Sequence, residues 1–149
     1  MTEPLTHRSL AVTTFNASWA LLERDRTEEE DLELLEVAFT SRHHWRKEGG
    51  ARQIAIADWM VSRCFSELGE GRLAVRFALA ALAAQPDDAP AWMRASVLEG
   101  LARAHAANGD QGSRDEALAA ASAALEEEAD PEERAIIAEQ LATVPPAAS

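Results

Sequence analysis

Few side chains here are of types that do chemistry, and their spacing limits what they can do. Arg42-His43-His44-Trp45 sets two imidazoles next to each other. Neighbouring residues of a helix project about 100° apart, so His43 and His44 are poorly placed to hold one metal ion. His7 and His105 stand alone and no HExxH occurs, so neither a metal site nor a cofactor is expected. The lone Cys64 excludes an internal disulfide and a multi-cysteine zinc site, and it falls on an apolar helical stripe as a small hydrophobe. Carboxylates come in runs such as Glu28-Glu29-Glu30, which read as solvated helix starts rather than buried acid–base pairs. A glycine-rich phosphate loop, a GxSxG elbow and a dinucleotide fingerprint are all missing. The residues point away from an enzyme.

What remains is recognition chemistry. Trp59 and Arg63 are four residues apart and share one helical face, opposite the Val61, Cys64 and Phe65 stripe. Arg63 and Arg103 each stand six residues before a turn glycine, Gly69 and Gly109. A guanidinium fork suits a carboxylate, and an indole one turn earlier suits an apolar side chain. Two readings follow. Either these groups meet a foreign anionic segment, or Trp59 packs on the preceding hairpin and Asp58, Glu67 and Glu99 neutralise the arginines internally.

The net charge of −12 argues against nucleic acid, whose phosphates would be repelled. The charge is unevenly spread. Seven of the 14 basic residues lie between Arg42 and Arg76, opposed there only by Glu48, Asp58, Glu67 and Glu70. Acid gathers at Glu28 to Glu36 and at Glu126 to Glu133. These are either solvated faces or, for the basic stretch, a surface steering an acidic peptide inward. The longest apolar run, Phe77 to Ala84, is far below the ~20 residues of a membrane helix. Glu3, His7 and Arg8 interrupt any signal-like apolar core, so a cytoplasmic chain is expected.

The elements that must position these groups are helices. Between Pro4 and Pro86 there is no proline, Ala, Leu, Glu and Arg dominate, and no alternating strand pattern occurs. Residues 1–12 read as an arm. A first helix is predicted from about Thr13 to Glu23, on Phe15, Trp19 and Leu22. Thr27 with Glu30 forms a capping box for a second, reaching Lys47 with Leu32, Leu35, Ala38 and Phe39 on one face. A third covers about Ala51 to Leu68, with Ile54, Ala57, Val61, Cys64, Phe65 and Leu68 inward. A fourth runs from Gly71 to Ala84, where Ala78 and Ala81 permit close contacts. A fifth spans about Ala91 to Asn108. Ser113 with Glu116 is expected to cap a sixth. Asp130-Pro131 starts a seventh, carrying Ile136, Ile137 and Leu141. Residues 145–149 are expected to fray.

Trp59 to Pro86 and Leu101 to Pro131 repeat one pattern: apolar helix, small-residue turn, Ala/Leu-rich helix, proline. This resembles the tetratricopeptide repeat, an α-α superhelix of stacked hairpins. Phe65, Gly69, Ala74, Ala78, Ala81, Leu82 and Pro86 match in one copy. Leu101, Ala102 and Gly109 match in the other, where Ala117, Ala121, Ala124 and Leu125 arrive three residues late, after Gln111, Gly112 and Ser113. The turn glycines are 40 residues apart, against about 34 in the family. His44-Trp45, Asp58-Trp59 and Ser62-Arg63 also resemble a group of small bacterial tetratricopeptide-like proteins that implies a fold and no chemistry. The resemblance implies a single domain over residues 13–144: a divergent hairpin (13–48), two repeats (51–88 and 91–129) and a capping helix (131–142). It also places Ile56, Trp59, Arg63 and Glu67, then Glu99, Arg103 and Ala106, towards a concave groove. The expected function is a non-catalytic scaffold or adaptor that takes a protein or peptide partner, such as an acidic segment, in that groove. Alternatives are a self-associating homodimer and a small-molecule sensor or enzyme with a pocket at His43, His44, Trp45 and Arg63.

Overall fold

A computed structural model describes residues 4–149. They form α1 (His7–Leu22), α2 (Glu28–Glu48), α3 (Ala51–Glu67), α4 (Gly71–Ala84), α5 (Ala91–Ala107), α6 (Gln111–Glu126) and α7 (Pro131–Ala142), with no strand among them. The all-α expectation and the order of seven helices are met.

The helix ends follow local chemistry. Gly69 and Gly109 adopt φ of +76° and +75°, the left-handed conformation that glycine enters without a Cβ penalty. In both hairpins the next helix starts two residues later, at Gly71 and at Gln111. Gln111, Gly112 and Ser113 therefore lengthen α6 and leave the turn unchanged. The Ser113–Glu116 cap gives way to Asp110, whose carboxylate accepts from the Ser113 backbone N–H at 3.0 Å and its hydroxyl at 2.7 Å. Those bonds hold the Asp110 carboxyl below its ordinary range. The Thr27–Glu30 box forms as expected, with both bonds at 3.2 Å.

The two chain ends differ from expectation. α1 begins at His7 rather than near Thr13, because Thr6 and Ser9 cap each other reciprocally, at 3.0 and 2.9 Å. The part of the expected arm at residues 1–3 lies outside the described residues. At the other end, residues 145–149 do not fray. Ala148 N–H donates to the Ala106 carbonyl (2.8 Å) and Ala147 N–H to Gln111 Oε1 (2.7 Å). Arg114 donates to the carbonyls of Val144 (2.9 Å) and Pro145 (3.1 Å), and Val144 is buried.

α1, α3, α5 and α7 touch in succession, and α2, α4 and α6 each pack between two of them. Central α3 is buried on most of its circumference. Of its expected stripe, Ala57, Val61, Cys64 and Phe65 are buried while Ile54 and Leu68 are half-buried, and Asp58, Trp59, Met60 and Ser62 are buried too. The inward face of α2 is rotated from the expected one: Leu34, Ala38, Ser41 and Trp45 are buried, whereas Leu32 and Phe39 are exposed. Buried hydroxyls pin two hairpins, Ser41 to the Ala11 carbonyl and Ser62 to the Ala74 carbonyl, both at 2.8 Å. Phe39, Phe65 and Phe77 meet where α2, α3 and α4 join. Ala74, Ala78 and Ala81 are buried along α4, as their small size requires for close helix approach.

Candidate binding cleft

One side of the α1–α3–α5–α7 row opens into a cleft of about 310 Å³. Helical spacing supplies each wall: Phe15 and Trp19 from α1, Ile56 and Trp59 from α3, Trp92 and Ser96 from α5, and Glu133, Ile136 and Gln140 from α7. Met93, Val97 and Ile137, all buried, complete the lining. Three of the four tryptophans of the chain thus converge on one cleft. Trp19 and Trp59 meet at 5.7 Å between centroids, tilted by 50°. Trp59 is seated against α5 at Gly100, where an added Cβ would stand 2.6 Å from the indole Cδ1. Glycine at 100 is what lets the two helices close on that ring. Ile136 is 52% exposed at the mouth, although it is a large apolar side chain.

The arginines expected in a groove are committed inside the protein. Glu99 is fully buried, and its Oε1 accepts from Arg103 Nε at 2.8 Å and from Arg103 Nη2 at 2.6 Å. The Arg103 guanidinium also donates to Thr143 Oγ1 (2.9 Å) and to the Gln140 carbonyl (3.3 Å), tying α5 to the end of α7. Arg63 pairs with Glu67 at 3.2 Å, lies 3.8 Å from Glu99, and stands over the Trp19 ring at 5.8 Å. Asp58 belongs elsewhere, bonded to Arg42 at 2.6 Å. Ile56 and Trp59 line the cleft. Arg103 does not: it borders a separate cavity of about 340 Å³ with Ser66, Glu67, Gly69, Ala106 and the tail prolines Pro145 and Pro146. An arginine fork shared by both repeats on one open surface is not what the geometry contains. One buried carboxylate placed between the repeats draws both guanidinium groups inward.

The second cluster divides as well. Trp45 is buried with Ala11 and Ala57, under the Arg8 guanidinium at 5.5 Å. His43 lines a basic hollow with Phe39, Arg42, Arg46 and Lys47, in which neither Trp45 nor Arg63 takes part, so the pocket envisaged from those four residues does not form. His44 turns instead to His7, with Nδ1 to Nδ1 at 2.8 Å and ring centroids at 5.0 Å. The centroids are farther apart than the nitrogens by nearly the sum of two ring radii, so the nitrogens face head-on. That is the geometry of a shared proton; lone pairs ligating one metal ion would converge at an angle. Burial first, then His43 and His7, lower the pKa of His44. Sequence spacing had isolated His7 because its partner lies in another helix.

Cys64 is buried and its thiol is pushed up to about 12, so it is packed rather than reactive. No group of three or more His, Cys, Asp or Glu side chains placed to hold a metal ion occurs among the described residues. No helix among them is long and apolar enough to cross a membrane. Of the cleft residues, spacing within single helices pointed only to Ile56 and Trp59; Phe15, Trp19, Trp92 and Glu133 are among those it did not assemble. Phe15 and Trp19, four apart, showed a face but not what it faced. No protein-family model, curated protein or solved structure matches the chain.

Proposed function

We propose that the chain is a non-catalytic, tetratricopeptide-like interaction scaffold that holds an apolar segment of another protein between α1, α3, α5 and α7. The observation that carries this reading is the cleft itself: about 310 Å³, walled by Phe15, Trp19, Ile56, Trp59 and Trp92, with Ile136 exposed at its mouth. Its volume is at the small end of ligand sites and suits one or two large side chains of a docked segment. Tryptophans gathered in one place are the residues that most often dominate binding energy at interfaces. The succession of α1, α3, α5 and α7 along one side, with α2, α4 and α6 between, supports the superhelical reading. Non-catalytic character is supported by a lining with one ionisable group and by a thiol pushed up to about 12.

Selection of random peptides displayed on phage tests the reading, with wild-type protein as bait and Ile136→Ser and Ile56→Ser as counter-baits. Ile136 is exposed, so its substitution should leave stability within about 0.5 kcal/mol. Peptides with large apolar side chains should enrich on the wild type and lose at least about tenfold in affinity on either variant. Enriched peptides that bind both variants as well as wild type would overturn the assignment to this cleft.

A further inference from the structure

We infer that the segment taken by the cleft is basic and amphipathic: its apolar side chains enter between the tryptophans and a neighbouring lysine or arginine meets Glu133. This rests on the reading above and adds the charge of the partner. Among the described residues that line the cleft, Glu133 is the only ionisable side chain. It lines the cleft from α7, while Trp92 lines it from α5 with its backbone N–H donating to Glu128 Oε2 at 3.1 Å. Glu132 and Glu133 fill the first turn of α7, so acid accumulates at that end.

The nearby cations are turned elsewhere. Arg134 donates to the Glu128 carbonyl and borders the opposite side of α7, with Leu118 and Leu141. Arg94 is paired with Glu127 at 2.5 Å. Arg63 is held by Glu67 and Glu99, and it already occupies the face of Trp19. Trp92 has no cation over its ring among the described residues. An indole and a carboxylate lining the same cleft are the chemistry that receives a cation on an apolar stem, as lysine and arginine carry it. The field of a chain with net charge −12 draws such a segment in. An acidic segment would meet Glu133 with no guanidinium free to offset the repulsion.

The test uses the full chain, its tryptophan fluorescence and calorimetry, with three helical peptides of about 15 residues. All carry leucines at i, i+3, i+4 and i+7; their other faces bear lysine, glutamine or glutamate. The lysine peptide should bind about tenfold tighter than the glutamine one, with the glutamate peptide weakest. Because any cation is drawn to an acidic chain, the decisive comparison is between variants. Glu133→Gln should remove most of the lysine preference, and Glu116→Gln, an exposed change on α6, should keep it. Equal binding of the three peptides, tighter binding of the glutamate peptide, or an unchanged preference in Glu133→Gln would overturn the basic partner while leaving the cleft reading standing. Binding of none of them, or binding that Ile136→Ser does not weaken, would overturn the cleft and the partner together.

Discussion

Counted back from the turn glycine, Arg63 in α3 and Arg103 in α5 occupy the same place. Ten residues before that glycine, however, α3 has Trp59 and α5 has Glu99. The arginine of the first repeat reaches forward four residues to Glu67, at a half-exposed edge, while that of the second reaches back four residues to a fully buried carboxylate. The turns are alike to within a degree in φ. The two hairpins thus share their turn geometry, whereas the position of one acid decides what each arginine does. The same comparison separates the cleft from the ionic cluster. Trp59 turns its ring to the aromatic wall, and Glu99 turns inward to join α3, α5 and α7.

The largest way to break this comparison is to remove the buried acid. Glu99→Leu leaves the Arg103 guanidinium, 7% exposed, without its counter-ion, and chemical denaturation should show a loss of about 3–5 kcal/mol. Glu67→Ala, the corresponding change in the α3–α4 hairpin, should cost about 0–1 kcal/mol because Glu67 is exposed and Glu99 still stands 3.8 Å from Arg63. Equal losses for the two variants would show that Glu99 does not hold the cluster.

The helix starts offer the next contrast. Gly71 and Gln111 both follow their turn glycine by two residues. A Cβ on Gly71 would fall 2.4 Å from the Asn108 Cα, whereas Gln111 is exposed. Backbone cannot give way as a side chain can, so Gly71→Ala should cost about 1–3 kcal/mol. Ala78→Leu, midway along the same helix, should fall in the same range. Gln111→Ala should lose only about 0.5–1.5 kcal/mol, from its bond to the Ala147 N–H. Thermal melts that rank Gln111→Ala below Gly71→Ala in stability would reverse the asymmetry drawn between the two hairpins.

The smallest effect concerns the histidine pair joining α1 to α2. The folded pKa of His44 is lowered from its ordinary 6.5, so its contribution to stability is present above pH 6.5 and is lost as pH falls towards the folded value. Melting temperature should therefore drop more steeply on acidification in the wild type than in His44→Gln. Parallel profiles would mean that the pair does not report on folding.

Much of the architecture was legible because helix signals are local. Proline placement, the Thr27–Glu30 box, the Asp130-Pro131 start and the two turn glycines act within four or five residues of chain, and the helices they bound are where they were expected. Misreadings arose where local signals competed. Asp110 outranked Ser113 as a cap because its carboxylate takes two bonds from Ser113. The α2 stripe expected through Leu32 gives way to one through Leu34, because α2 packs against both α1 and α3. Ile56 and Trp59 line the cleft, whereas Glu99 is buried against Arg103, which borders a separate cavity.

What the sequence by itself determined is the set of helices, their order and their turn conformations, since each follows from interactions within a few residues. Which side chains meet was decided only in three dimensions. Glu99 between Arg63 and Arg103, Trp59 against Gly100, and His7 with His44 each join residues whose encounter depends on how one helix lies on another. Their chemistry was written in the chain, but their distances were not, because helix packing depends on the summed fit of many small contacts rather than on any one residue pair.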